Sequence, residues 1–248
     1  MNDDELKAAG LAYDVTGAVA TVTLDRPEHR NSLSDAMLGE LIEVLGALRD
    51  DARSRVVIVT GAPPVFSAGA HFPARRGMSP EERRQVFLST PNQFRRLFER
   101  VTGLLENLEQ ATIAMINGHA IGGGFGLTLA CDFRWAAAEA TLGIPEVDLG
   151  VPLGVASTTR FVRLVGPARA KEIIMEGRRY TAAEAHAMGL VHRVVPGDQL
   201  AAAVRAYAET LAAKPFAPLA QVKARINAIA RTGIPEVNAM TEGFLPRE

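Results

Sequence analysis

Asn117-Gly-His-Ala-Ile-Gly-Gly-Gly124 is the stretch on which the reading of this chain turns. It follows Thr112-Ile-Ala-Met-Ile116, a short apolar run of strand length, and leads into Phe125–Cys131, which reads as a buried helix. Small residues after a strand let a ligand approach the main chain. A loop that opens a helix also presents free N–H groups and the positive end of the helix dipole to negative charge. Taken alone, Gly122-Gly-Gly124 is equally a tight helix–strand crossing. The G-x-G-x-x-G spacing of a dinucleotide loop is not met, and the glycines come late in the chain.

Working outward, the same grammar recurs. Val19-Ala-Thr-Val-Thr-Leu24 alternates like a strand and ends at the turn Asp25-Arg26-Pro27. Ser34 is placed to cap a helix whose apolar positions are Met37, Leu38, Leu41, Ile42, Leu45 and Leu48. Arg55–Thr60 reads as a buried strand, followed by a second loop of small residues, Phe66-Ser-Ala-Gly-Ala-His71. Ala74 to Pro91 is a polar, Arg-rich excursion, Asn92–Glu109 a helix, and Asp132–Ala136 a strand. This order predicts an α/β core. From Val155 onward the pattern is almost wholly helical: Ser157–Val165, Ala168–Met175, Ala182–Met188, Leu200–Ala213 and Phe216–Ile229. A core over residues 1–195 and a helical region over 196–248 are expected. Two small-residue loops side by side could aim two backbone N–H groups at one developing oxyanion, where each donor is worth roughly 10²–10³ in rate.

Composition narrows the class. Apolar residues make up 48% of the 248, enough for a sizeable core, and the net charge of −1 has no block of like sign. That disfavours a nucleic-acid groove or a membrane surface. Cys131 is the only cysteine, so neither an internal disulfide nor a thiolate metal cluster can form. The acidic start Met1-Asn2-Asp3-Asp4-Glu5 has no apolar signal region, and a cytoplasmic location is expected. No histidine pair has metal-ligand spacing near a carboxylate, so no metal is expected.

Five segments in order resemble the crotonase (enoyl-CoA hydratase/isomerase) superfamily. Leu24-Asp-Arg-Pro-Glu-His-Arg-Asn-Ser-Leu33 is similar to its N-terminal motif. Val59-Thr-Gly61 with Phe66-Ser-Ala-Gly-Ala70 is similar to its first oxyanion loop. Asn117–Gly124 with Ala130-Cys-Asp132 is similar to its second, and Ile144-Pro-Glu-Val-Asp-Leu-Gly150 to its carboxylate segment. Gly177–Ala185 with Gly189-Leu-Val191 is similar to the helical part that follows. The resemblance implies a spiral of β-β-α units with a C-terminal helical region, assembled as a trimer or a dimer of trimers. It implies an acyl-CoA substrate, coenzyme A entering as part of the substrate and no permanently bound cofactor. It implies that the amides of Ala68 and Gly123 hold the thioester oxygen, and that Ala68, Gly69, Ala70, His71, Gly122 and Gly123 line the thioester site. Arg26 and Arg30 fall in the loop that lies near the CoA phosphates; a solvated surface is the other reading of both.

The carboxylates bear on the reaction. By the same resemblance, hydratases carry two glutamates. The position of the first is Gly126 here, and that of the second is Glu146. Hydration needs a water activated and a proton delivered, whereas moving a double bond from C3 to C2 needs one base. A Δ3,Δ2-enoyl-CoA isomerase with Glu146 as base is therefore expected. A hydratase and a non-catalytic acyl-CoA binder are the alternatives. If Pro145–Leu149 is extended, Asp148 shares a face with Glu146 and supplies a second acid; otherwise it makes a local turn or cap bond. The family continues with further helices beyond a segment like Gln221–Asn227. An acyl pocket either more open or closed by the excursion around Arg75 to Arg84 is expected.

Overall fold

A computed structural model of the protein describes residues 3–71, 78, 79, 81, 82, 85 and 93–231. Most of the Arg75–Arg84 excursion, and the chain beyond Arg231, lie outside the described residues. The main sheet has six strands in the order β1-β2-β3-β4-β6-β9: β1 (Leu11–Thr16), β2 (Val19–Leu24), β3 (Val56–Gly61), β4 (Ala111–Ile116), β6 (Phe133–Ala137) and β9 (Arg193–Val195). Only the β1/β2 pair is antiparallel. All six residues of β3 are buried, as a parallel strand covered on both faces requires.

A second layer holds β5 (Ala120–Ile121), β7 (Thr141–Gly143) and β8 (Arg179–Thr181). Two single bridges, Leu33↔Ala70 and Ser67↔Ala120, extend this layer through the loops after β2 and β3. Each turn of the chain thus places a strand in the main sheet, then a short extended piece in the second layer, then a helix. The expected β-β-α spiral is the result.

Helix α1 (Asp3–Ala9) precedes β1. Helix α2 (Asp35–Asp50) buries Met37, Leu38, Leu41, Ile42, Val44, Leu45 and Leu48, and Ser34 Oγ caps it by accepting the Met37 N–H. Each fully buried leucine there stabilises the fold by about 2 kcal/mol. Helix α3 (Gln93–Asn107) packs beside it, and α4 (Gly123–Thr128) follows the glycine loop. The helix expected over Phe125–Cys131 is therefore shifted: it starts at Gly123 and stops at Thr128, leaving Cys131 buried in the bend before β6. Burial pushes the Cys131 thiol up to about 12, so it carries no thiolate character at neutral pH.

The region after Val155 is not wholly helical as expected. Helix α5 (Val155–Glu176) is broken at Gly166, where φ 74 and ψ 164 precede Pro167, matching the two helices read from sequence. Beyond it β8 joins the second layer, α6 (Ala182–Ala187) carries a Thr181/Glu184 capping box, and β9 closes the edge of the main sheet. Strands of three residues are too short for a period-two pattern to register. Helix α7 (Gly197–Ala212) buries Leu200, Val204 and Ala208, packing on the main sheet.

Helix α8 (Phe216–Arg231) buries no residue and is tied by polar contacts. Lys223 Nζ reaches Asp132 at 2.8 Å, Asn227 donates to Glu106 O at 2.9 Å, and Arg231 pairs with Glu106 at 3.5 Å. Glu106 also holds Arg160 and Arg163. Burial alone would raise the Glu106 carboxyl, but the three guanidiniums outweigh it and hold it below the ordinary range. Glu106→Gln would leave Arg160 and Arg163 buried without their counter-ion, and a loss of about 3 kcal/mol is expected from breaking such a cluster. Urea denaturation of the two proteins measures it; a difference below experimental error removes Glu106 from the stability of the fold.

Candidate active site

The two glycine loops and Glu146 meet. A cavity of about 170 Å³ is lined by Ala68, Gly69 and Ala70 from the first loop, by Ile121, Gly122 and Gly123 from the second, and by Glu146. Phe94 and Arg95 at the start of α3 close one side, and Leu149, Val151, Pro152 and Gly154 another. A larger cavity of about 780 Å³ lies under α8 and shares none of these residues. It is lined by apolar side chains and by the ion pairs that fasten α8.

The second loop needs its glycines for specific reasons. Gly122 has φ 56 and ψ −126, a conformation that side chains rarely adopt. A β-carbon on it would lie 2.8 Å from Glu146 Oε1, so the carboxylate rests against this peptide. Gly124 packs on Ser67, where a β-carbon would come within 2.7 Å of Ser67 O. Gly123 opens α4, where first-turn N–H groups have no acceptor within the helix.

The first loop is braced from below. Buried Asn31 donates to Ala62 O at 2.7 Å and Val65 O at 2.8 Å, and accepts the Arg26 N–H. Ser67 Oγ donates to Asn31 O at 2.7 Å and accepts the Gly69 N–H at 3.1 Å. Neither brace was read from the sequence; an asparagine at the end of a charged loop and a serine in a loop of small residues were the only signals.

These braces bear on which amide faces the second loop. The Ala68 N–H already donates to Arg30 O at 2.9 Å. Gly69, at φ +89, then reverses the direction of the chain. The Leu33↔Ala70 bridge uses Gly69 O and the His71 N–H, which turns the Ala70 amide to the opposite side. Among the described residues the Ala70 N–H has no acceptor. A β-carbon on Gly123 would lie 3.6 Å from Ala70 N, so Ala70, not Ala68, faces Gly123.

For Asp148 the turn reading of the sequence matches the backbone. Pro145–Val151 is a turn rather than an extended segment, with Leu149 N bonded to Pro145 O and Val151 N to Glu146 O. Glu146 points into the cavity while Asp148 lies outside it, its Oδ2 2.9 Å from where a β-carbon on Gly177 would sit. Gly126 is crowded by the Ser157 hydroxyl and the Phe98 ring, and a side chain there would require both to shift. A β-carbon there would lie 2.3 Å from Ser157 Oγ and 3.2 Å from Phe98 Cζ.

Arg26, Arg30 and His71 lie behind the first loop and do not line the cavity. His71 Nδ1 meets Ser32 Oγ at 2.8 Å, and its ring meets the edge of His29 at 5.3 Å. Burial, then the Arg26 cation and His29, depress the His71 imidazole below its usual value. The Arg26 stem covers Gly10, and its head lies 4.0 Å from Glu28. Among the described residues no group of His, Cys, Asp and Glu is arranged to hold a metal, and no helix is long and apolar enough to cross a membrane.

Residues 14–244 match the sequence pattern of the enoyl-CoA hydratase/isomerase family. The chain belongs to that family. Human enoyl-CoA hydratase domain-containing protein 2, mitochondrial, is 36% identical over 87% of this chain and 72% of its own length. A monofunctional enoyl-CoA isomerase of M. smegmatis superposes with a TM-score of 0.76 at 32% identity, covering 92% of this chain and 97% of that one. A Thermobifida fusca structure in complex with acetoacetyl-CoA superposes with a TM-score of 0.82 at 32% identity, covering 98% and 95%. The α/β spiral is thus the shared frame of this crotonase-family member. The relatives carry both hydratase and isomerase names, so the frame alone leaves the reaction open.

Proposed function

We propose that this crotonase-family chain is a Δ3,Δ2-enoyl-CoA isomerase. Glu146 is its one base, and the N–H groups of Ala70 and Gly123 are its oxyanion donors. The observation that carries the reading is that, among the described residues, Glu146 is the single carboxylate lining a cavity onto which two facing main-chain amides open. Glu146 takes a proton from C2 of a 3-enoyl thioester. The electron pair of that C–H bond enters the C2–C3–C4 system, and negative charge gathers on the thioester oxygen as a dienolate. Two fixed N–H donors stabilise that charge without reorganising. Glu146 then returns the proton to C4, leaving the double bond between C2 and C3. In this reading Ala68, Gly69 and Ala70 line the thioester end of the site, and the CoA moiety continues outside the cavity past His71, with Arg26 and Arg30 beside its phosphates. Assembly into a trimer or a dimer of trimers follows from the same reading and is checked by light scattering.

The contact between Gly126 and Ser157 supports one acid rather than two. A glutamate at 126 would have to enter space that Ser157 and Phe98 fill. Gly126→Ala is expected to cost about 1–3 kcal/mol by overpacking, and Ser157→Ala in the same chain to recover most of it. A double-mutant cycle by urea denaturation measures the coupling; additive effects would mean that Ser157 does not close this space.

The reaction is tested by incubating the protein separately with 3-hexenoyl-CoA and 2-hexenoyl-CoA. The first is expected to yield the 2-enoyl thioester, and the second no appreciable 3-hydroxyhexanoyl-CoA. Hydration at a rate matching or exceeding isomerisation would make the protein a hydratase. Calorimetric binding of hexanoyl-CoA without turnover of either substrate would make it a binder.

A further inference from the structure

We propose that Arg95 selects acyl thioesters whose acyl group ends in a second, distal carboxylate. The inference rests on the reading of the 170 Å³ cavity as an enoyl-thioester site. Among the described residues that line it, the only charged side chains are Glu146 and Arg95. The other walls are main chain, small residues, or the apolar side chains of Phe94, Ile121, Leu149 and Val151. A purely hydrocarbon acyl chain would be matched by such walls without a cation.

Arg95 is available to an incoming anion. Its one ion-pair partner among the described residues is Glu99, with Nε–Oε1 at 4.0 Å on the same helix and both side chains largely exposed, at 56% and 42%. An exposed pair at that limit of distance contributes little, and a substrate carboxylate can replace it with two parallel N–H···O bonds. The guanidinium stays charged at any working pH and presents a planar fork that matches a carboxylate. Arg95 and Glu146 also have distinct uses here. The carboxylate sits against Gly122 beside the amides, where the carbons next to the thioester would lie. Arg95 lines the cavity from the first turn of α3, on a different element from Glu146, and in this proposal it meets the far end of a short acyl group.

The test compares the mono-CoA thioester of 3-hexenedioic acid with 3-hexenoyl-CoA, which has the same chain length and double bond. Wild-type protein is expected to favour the first in kcat/KM. Arg95→Gln is expected to lower the ratio of the two kcat/KM values by about 10- to 100-fold, the loss of one hydrogen bond to a charged group. Arg95→Lys should retain part of the preference. No preference in the wild type, or a ratio unchanged in Arg95→Gln, would overturn the proposal. If neither thioester is turned over, the isomerase reading fails, and calorimetry then decides on Arg95 by itself. Tighter binding of adipyl-CoA than hexanoyl-CoA, lost in Arg95→Gln, would support the proposal; equal binding would end it.

Discussion

Glu146→Gln is expected to lower the isomerisation of 3-hexenoyl-CoA by about 10²–10⁴-fold, the usual worth of a positioned general base. Glutamine keeps the shape of the side chain and its place against Gly122, but its amide cannot take a proton from C2. The loss therefore belongs in kcat, with KM changed little, because the oxyanion donors and the cavity walls are untouched. A second readout separates chemistry from packing. In D₂O the wild type should exchange deuterium into C2 and C4 of the thioester, and the variant should not. Stability should move little, since Glu146 is a partly exposed residue in a turn rather than a member of the core. A variant that isomerises at the wild-type rate would remove Glu146 from the mechanism. One that unfolds would say instead that the turn Pro145–Val151 depends on it.

How much of this was legible in the sequence depended on how local the signal was. The capped helix over Asp35–Asp50 and the apolar strands β3 and β4 could be read because long periodic segments carry their own evidence. The second layer could not. Its strands have two or three residues, and β8, like the three-residue β9 at the edge of the main sheet, forms only because the spiral brings an edge to it. At the site, Glu146 was legible through its motif, whereas the amide that faces Gly123 lies two residues beyond the one read from the motif. Ala68 and Ala70 are alike in sequence. What distinguishes them is the hydrogen bond from Ala68 to Arg30 and the positive φ at Gly69, both set by a segment some forty positions upstream. For Asp148 the sequence left two readings open, and only the local conformation separates them. An i,i+2 pair shares a face only in an extended chain, and the segment folds into a turn. Arg95 carried no motif at all; it reaches the cavity because α3 begins there.

Gly69→Ala is the second large effect, because it tests the two-amide cradle without altering any side chain that does chemistry. The added methyl would come 2.6 Å from Ile121 O and 3.2 Å from Gly123 N. The backbone at residue 69 also has φ +89, which alanine adopts only under strain of about 1–3 kcal/mol. Either the first loop rotates and takes the Ala70 N–H with it, or the second loop recedes and takes the Gly123 N–H. Both routes separate the donors, and losing one oxyanion donor typically costs about 10²–10³ in rate. The loss should fall on kcat, since the charge that these amides stabilise is largest in the dienolate-like transition state. A transition-state mimic reads it directly. Acetoacetyl-CoA as its enolate should bind the variant much more weakly, while hexanoyl-CoA, which carries no such charge, should lose far less. Parallel losses for both ligands would point to a collapsed cavity. An enolate bound as tightly as by the wild type would mean that the amides of Ala70 and Gly123 do not act together on one oxygen.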